Sequence, residues 1–164
     1  MIIELKELQE QDLPFVKEIY DWYILNSTAT FHTEPVSMDE LKSILPIGHL
    51  QYRSFVIHTE GMACGYCYIS RYKPRQAYDR TAEITIYLKP ENAGRGIGKE
   101  TMKLLEAIAS EKGIRVLLGI ITAENEISIH LFEKCGYEKC AHYRQVGEKF
   151  NRLLDVVAYQ KILK

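Results

Sequence analysis

The sequence predicts an α+β fold, a mixed and mostly antiparallel sheet flanked by helices. Three observations carry this. From Ala82 to Leu88 the chain alternates strictly, with Ala82, Ile84, Ile86 and Leu88 on one face and Glu83, Thr85 and Tyr87 on the other. A glycine-rich turn and an amphipathic helix follow that strand directly. Ahead of it, two apolar runs joined by Glu60-Gly61 read as a hairpin, and two more strand-like runs close the chain, so its neighbours are largely antiparallel.

The elements follow in order. Met1 to Leu8 is strand-like. Asp12 is placed to cap a helix with Pro14 just inside it, and Phe15, Val16, Ile19, Tyr20 and Tyr23 recur at helical spacing through Asn26. Ser27 to Val36 is a polar connection. Ser37 then opens a short helix with Glu40 as its capping-box partner, ending near Pro46-Ile47-Gly48. Strands span Ser54–Thr59 and Met62–Ser70, and the aromatic and cationic loop Arg71–Arg80 leads into the central strand. Pro90, which lacks an N–H, ends that strand. The central helix stops at Gly113, Arg115–Thr122 is a buried-type strand, and Glu124 or Asn125 starts a helix that Gly136 closes. The last strands lie around Tyr137–Val146 and Leu153–Ile162.

Composition narrows the function. With 164 residues, 46% hydrophobic and 26% charged, the expectation is one domain over residues 1–164 with a real core. A net charge of −1, from 21 basic and 22 acidic residues, gives no bulk attraction to nucleic acid or to a membrane surface. Met1-Ile2-Ile3 runs straight into Glu4, Lys6 and Glu7, unlike a signal segment, and no run is long enough to span a bilayer. The expected location is cytoplasmic.

Gly94, Gly96 and Gly98 stand at every second position of Gly94-Arg95-Gly96-Ile97-Gly98-Lys99. Residues without side chains let backbone N–H groups approach a ligand, and the helix that follows directs its free donors and positive dipole end at the same place. Such a turn suits a phosphate or pyrophosphate. It is not a P-loop, because Ala93 holds the first glycine position and Glu100 follows Gly98-Lys99 where Ser or Thr is required. Nor is it a dinucleotide fingerprint, being GxGxG in mid-chain after antiparallel strands. A plain flexible turn is the bland alternative. Cys64 and Cys67 form a CxxC, but within a strand, where residues three apart face opposite ways; buried reduced thiols are expected rather than a redox or zinc site.

Together these residues resemble the GNAT (Gcn5-related) N-acetyltransferases. Gly96 and Gly98 fit that family's Q/R-x-x-G-x-G/A loop, with Ala93 departing from its first position. The run from Asn125-Glu126-Ile127-Ser128 through Leu131-Phe132-Glu133-Lys134-Cys135-Gly136-Tyr137 is similar to its later N-x-x-[SA]-x-x-[LF]-[YF]-E-K-x-G-[FY] element. Within the family, Ser27-Thr28-Ala29-Thr30-Phe31 with Thr33-Glu34-Pro35, the loop Tyr72–Asp79 with Glu83 and Tyr87, and Asp155-Val156 resemble phosphinothricin and methionine-sulfoximine N-acetyltransferases.

The resemblance implies an acyl-CoA N-acyltransferase fold, acetyl-CoA as co-substrate, no metal, a small-molecule amine as acceptor and a homodimer. Gly94, Arg95, Gly96, Ile97, Gly98 and Lys99 would bind the pyrophosphate, and the backbone of Ile86, Tyr87 and Leu88 would pair with the pantetheine arm like an added strand. Asn125 would contact that arm or simply cap its helix. Glu83 would be the general base, provided burial raises its pKa; read from the residues alone it is a solvated strand glutamate. Lys73 and Arg75 would bind an acidic acceptor group or form a solvated basic loop, and Phe31, Tyr72 and Tyr78 would wall the acceptor pocket or belong to the core. Phe132 stands where many relatives carry a tyrosine that protonates the leaving thiolate, so no residue takes that role. Acetylation of another amine (a polyamine, an antibiotic or a protein N-terminus) stays open, as does a catalytically silent acyl-CoA-binding module.

Overall fold

The alternation of the central strand divides the molecule into two cores. In a computed structural model describing residues 1–164, the strands β1 (Ile3–Glu7), β2 (Arg53–Thr59), β3 (Met62–Arg71), β4 (Thr81–Leu88), β5 (Val116–Thr122), β6 (Glu138–Lys149) and β7 (Arg152–Ile162) form one sheet. Helices α1 (Leu13–Asn26), α2 (Met38–Ile44), α3 (Ile97–Glu111) and α4 (Glu126–Lys134) cover it. Ala82 and Ile84 are buried in one core with Met102 and Leu105 of α3 and Phe132 of α4. Tyr87 packs against the other, with Val16, Ile19 and Tyr20 of α1, Leu41 of α2 and Tyr66. On α3, Ile97, Met102 and Leu105 are wholly buried, each such side chain stabilising the fold by about 1.5–3 kcal/mol.

The strand order is β1-β2-β3-β4-β5-β7-β6, and every pairing is antiparallel except β4 with β5. That parallel pairing lasts only from Thr81↔Val116 to Glu83↔Leu118. Beyond it the strands part: β4 continues against β3 as far as Leu88↔Gly65, and β5 continues against β7 as far as Thr122↔Val156. From Ile84 to Leu88, therefore, β4 has a strand partner on one side only. The sheet opens into a V in its middle.

Several local expectations change. Met1 and Ile2 are exposed and lie outside β1. Asp12 precedes α1, but its carboxylate accepts the Gln9 N–H (2.9 Å) and closes a 3₁₀ turn instead of capping the helix. Ser37 does cap α2, accepting from the Glu40 N–H at 3.1 Å, while the Glu40 carboxylate reaches His32 rather than completing a box. Cys64 and Cys67 share one core instead of facing opposite ways, because Cys64 is the extra residue of a bulge between the pairs Ile57↔Gly65 and His58↔Ala63. Both remain free thiols. No helix is long and apolar enough to cross a membrane.

Candidate active site

The open side of β4, the glycine turn and the start of α4 enclose a cleft of about 600 Å³. Ile86, Tyr87 and Leu88 line one wall, and Ile120, Ile121 and Thr122 of β5 face them. The one-sided pairing of β4 leaves backbone donors and acceptors directed into this space, where an extended ligand can pair with them as a strand would.

Above β4 the backbone N–H groups of Gly94, Arg95, Gly96, Ile97, Gly98 and Lys99 find no acceptor within the protein. Two features produce this. Gly94 (φ +77°) and Gly96 (φ +81°) adopt the left-handed backbone that reverses the chain, and Ile97 to Lys99 form the first turn of α3, whose donors have no intrahelical partner. Six unpaired amides thus gather at the positive end of a 15-residue helix, where the dipole favours negative charge. Gly98 serves differently: it is helical, and an added Cβ would lie 3.1 Å from Leu131, so its role is close packing of α3 on α4. Among the loop's side chains, Arg95 is exposed, Ile97 is fully buried and Lys99 lines the cleft.

Asn125 caps its helix and stands on the cleft. Its Oδ1 accepts the Ser128 N–H (3.2 Å), capping α4, and the residue also lines the cleft. Phe132 reaches the cleft from α4 with its ring edge-to-face on Tyr137 (centroids 4.9 Å apart) and its rim against Gly119. No hydroxyl is supplied there.

Glu83 sits where β4 and β5 last pair, on the face opposite Ala82 and Ile84. It is half-buried, and desolvation raises its pKa above the ordinary carboxylate value while the Lys73 ammonium pulls it back. Glu83 is close enough to Tyr68 of β3 to add to the burial that pushes that phenol up to about 12. Sequence reasoning missed Tyr68; the register of β3 on β4, Tyr68↔Thr85 and Ser70↔Glu83, puts it on the face of Glu83. Lys73 and Arg75 are exposed, lying over the rings of Tyr72 and Tyr78 (5.2 and 5.5 Å), and those two rings meet edge to face at 5.4 Å. The loop thus presents two cations on an aromatic base, with Lys73 near enough to Glu83 to act on its charge. Phe31 is held by a different element, its ring packed on Gly147 of β6.

Sequence reasoning missed the ties on the segment that carries Phe31. The Thr122 hydroxyl donates to the Thr28 carbonyl (2.6 Å), Thr28 donates to Glu124 (2.9 Å), and Lys149 donates to the Thr30 carbonyl (2.8 Å). These contacts join residues about a hundred positions apart, and no local pattern announces them.

A model of the acetyltransferase (GNAT) domain matches residues 5–158. The chain belongs to the GNAT acetyltransferases. Among curated GNAT relatives is the phosphinothricin N-acetyltransferase of Streptomyces coelicolor, 31% identical over 98% of this chain and 96% of that one. The L-methionine sulfoximine/L-methionine sulfone acetyltransferase of Pseudomonas paraeruginosa is 26% identical over 98% and 94%. Among solved GNAT structures, a phosphinothricin acetyltransferase from Sinorhizobium meliloti in complex with AcCoA superposes with a TM-score of 0.92 at 32% identity, covering 99% of this chain and 89% of that one. The sheet with its central V is therefore the GNAT fold, as the sequence motifs imply.

Proposed function

We propose that this chain transfers the acetyl group of acetyl-CoA to the amine of a small amino-acid-like acceptor, of the phosphinothricin or methionine sulfoximine type. One observation carries the reading: a one-sided strand, Ile84 to Leu88, runs from six unpaired amides at one end to a half-buried glutamate at the other. The fit to acetyl-CoA is chemical. The amides of Gly94 to Lys99 suit a pyrophosphate, the free edge of Ile86, Tyr87 and Leu88 suits the amide-bearing pantetheine arm, and Asn125 adds a polar contact. When bound, acetyl-CoA supplies an acyl group activated as a thioester.

The remaining steps fall to the chain's own residues. Lys73 and Arg75 attract the anionic end of the acceptor, Arg75 in a two-point contact. Phe31, Tyr72 and Tyr78 bound its apolar part. Glu83 takes the proton from the acceptor ammonium, directly or through water, and its burial brings its basicity closer to the working pH. The backbone N–H of Ile86, on the unpaired side of β4, is available to the oxyanion that forms as the amine attacks. Phe132 offers no proton, and none is required, because a thiol with a pKa of about 8.5 departs without a dedicated acid.

The protein acts in this reading as a cytoplasmic homodimer. Exposed apolar residues on the last hairpin, Tyr143, Val146, Phe150 and Leu153, support a covered surface there; sedimentation of a monomer at micromolar concentration would exclude the dimer. The function is tested by thiol release from acetyl-CoA against phosphinothricin, methionine sulfoximine, methionine sulfone, ordinary amino acids and spermidine. Turnover confined to the first three is expected. Turnover on spermidine alone would reject the acidic-acceptor reading, and acetyl-CoA binding without any turnover would favour a silent binding module.

A further inference from the structure

The segment from Thr28 to Phe31 is fastened at both ends, but its fastenings differ. At its start, Thr122 and Glu124 hold Thr28. On the α1 side, the Tyr20 hydroxyl lies 2.7 Å from the Thr30 hydroxyl. None of these touches the Phe31 ring. That ring is met by β6 instead: a Cβ built on Gly147 would lie 2.7 Å from its Cδ2 and 2.8 Å from its Cζ, with Cε2 closer still. Gly147 does not adopt a left-handed backbone, so an alanine is conformationally allowed there. The space it leaves is filled by Phe31 and by nothing else among its three nearest atoms.

Two residues along, on the same face of β6, Lys149 is only 3% exposed. Its ammonium donates to the Thr30 carbonyl at 2.8 Å, and burial lowers its pKa with no neighbouring carboxylate to offset the effect. An unpaired buried cation is costly, and a methionine of similar volume would fill the same space without that cost. The lysine adds the bond to Thr30 and a contact of its ammonium with the Phe150 ring, 5.3 Å to the centroid.

We propose that Gly147 and Lys149 are positioning residues for acceptor specificity: β6 sets the acceptor-side wall by seating the Phe31 ring on Gly147 and fixing the Thr30 carbonyl with Lys149. The inference rests on the reading above, in which Phe31 bounds the acceptor. It adds that the shape of that wall is dictated from the C-terminal hairpin.

Gly147→Ala, Phe31→Ala, their double variant and Lys149→Met test it, with acceptor KM, acetyl-CoA KM and amide hydrogen exchange over residues 28–32 as readouts. Gly147→Ala is expected to raise the acceptor KM about tenfold or more while acetyl-CoA KM stays within about twofold. In the Phe31→Ala background the same change should add nothing, because the ring it displaces is gone. Lys149→Met should speed exchange at Phe31 and His32 and leave β2 and β3 protected. Unchanged exchange over 28–32 in both single variants overturns the proposal whatever the acceptors do. So does an acceptor KM that is unmoved in Gly147→Ala, or one that moves in step with the acetyl-CoA KM. Absence of wild-type turnover on every amino-acid-like acceptor would overturn the functional reading instead, and the exchange data would still decide the seating of Phe31.

Discussion

The buried hydroxyl of Thr122 donates a 2.6 Å hydrogen bond to the carbonyl oxygen of Thr28, joining the far wall of the cleft to the segment that carries Phe31. Thr122 ends β5 where it has parted from β4, so this bond closes the open V at its mouth. Replacing Thr122 by Val keeps the shape and removes the donor, leaving a buried carbonyl without its partner. The expected loss is about 1–3 kcal/mol, measured by denaturant unfolding, with the larger kinetic effect on acceptor KM. A variant as stable as the wild type would mean that water reaches Thr28 and that the V is not sealed there.

Glu83 gives a prediction with a sign. Its folded pKa is raised, mainly by burial, and Lys73 opposes the rise. The deprotonated form is the base, so kcat/KM should climb with pH along a limb lying above the ordinary glutamate range. Glu83→Gln should remove that limb and lower kcat by about 10²–10⁴-fold with acetyl-CoA affinity retained. Lys73→Met should displace the limb to higher pH, because the one charge holding the pKa down is gone. Stability runs the other way. A carboxylate whose folded pKa is raised favours the fold below its unfolded pKa and loses that contribution as pH rises through the folded value, so Glu83→Gln should leave the protein no less stable at pH 8. A limb that Lys73→Met moves to lower pH would contradict the assignment.

Much of the fold was legible because its signals are local. The alternation of Ala82–Leu88, the Ser37 cap and the glycine at the end of α4 act within a few residues, and each appears where the pattern places it. The amide loop was legible for the same reason, since glycine spacing and a helix start are properties of one short stretch. What stayed hidden depends on register. The Cys64 bulge turns Cys64 onto the face of Cys67, yet nothing in Met62–Ser70 announces an inserted residue, and only the register of β3 on β4 brings Tyr68 beside Glu83. Gly147 and Lys149 look like ordinary residues of a solvent-facing strand, and only the pairing of distant segments shows that one seats an aromatic ring and the other is buried.

Two glycines of the loop, Gly96 and Gly98, should separate on substitution. Gly96→Ala forces a side chain into φ +81° with open space around it, the nearest atom being Met1 Cε at 3.8 Å, so the penalty is backbone strain of about 1–2 kcal/mol. The strain also turns the amides, and acetyl-CoA affinity should fall with stability. Gly98→Ala meets Leu131 Cδ2 at 3.1 Å, the end of a flexible side chain, and gains about 0.5–1 kcal/mol of helix propensity. Its stability should be nearly unchanged. Calorimetric titration with acetyl-CoA together with thermal unfolding distinguishes the two; equal losses would mean that steric access, not backbone conformation, governs the loop.

Asp155 links acid stability to the β6 bulge. Its Oδ1 accepts the Gln145 N–H and its Oδ2 meets His142, both at 2.8 Å, which holds the bulge between Tyr143 and Gly147 and so fixes which residues of β6 face Phe31 and Thr30. The Gln145 amide, then His142, hold its pKa below the ordinary value of 3.8. A depressed folded pKa contributes stability above the unfolded pKa and loses it as pH falls through the folded value, so the contribution disappears below about pH 4. Asp155→Asn can still accept the Gln145 N–H but cannot hold a charge. Its stability should fall less steeply than the wild type's between pH 5 and pH 2, approximate limits set by that linkage. Asp155→Ala removes the acceptor as well, frees the bulge, and should raise the acceptor KM as Gly147→Ala does. Parallel acid-unfolding slopes for all three proteins would show that the Asp155 charge does not hold the hairpin.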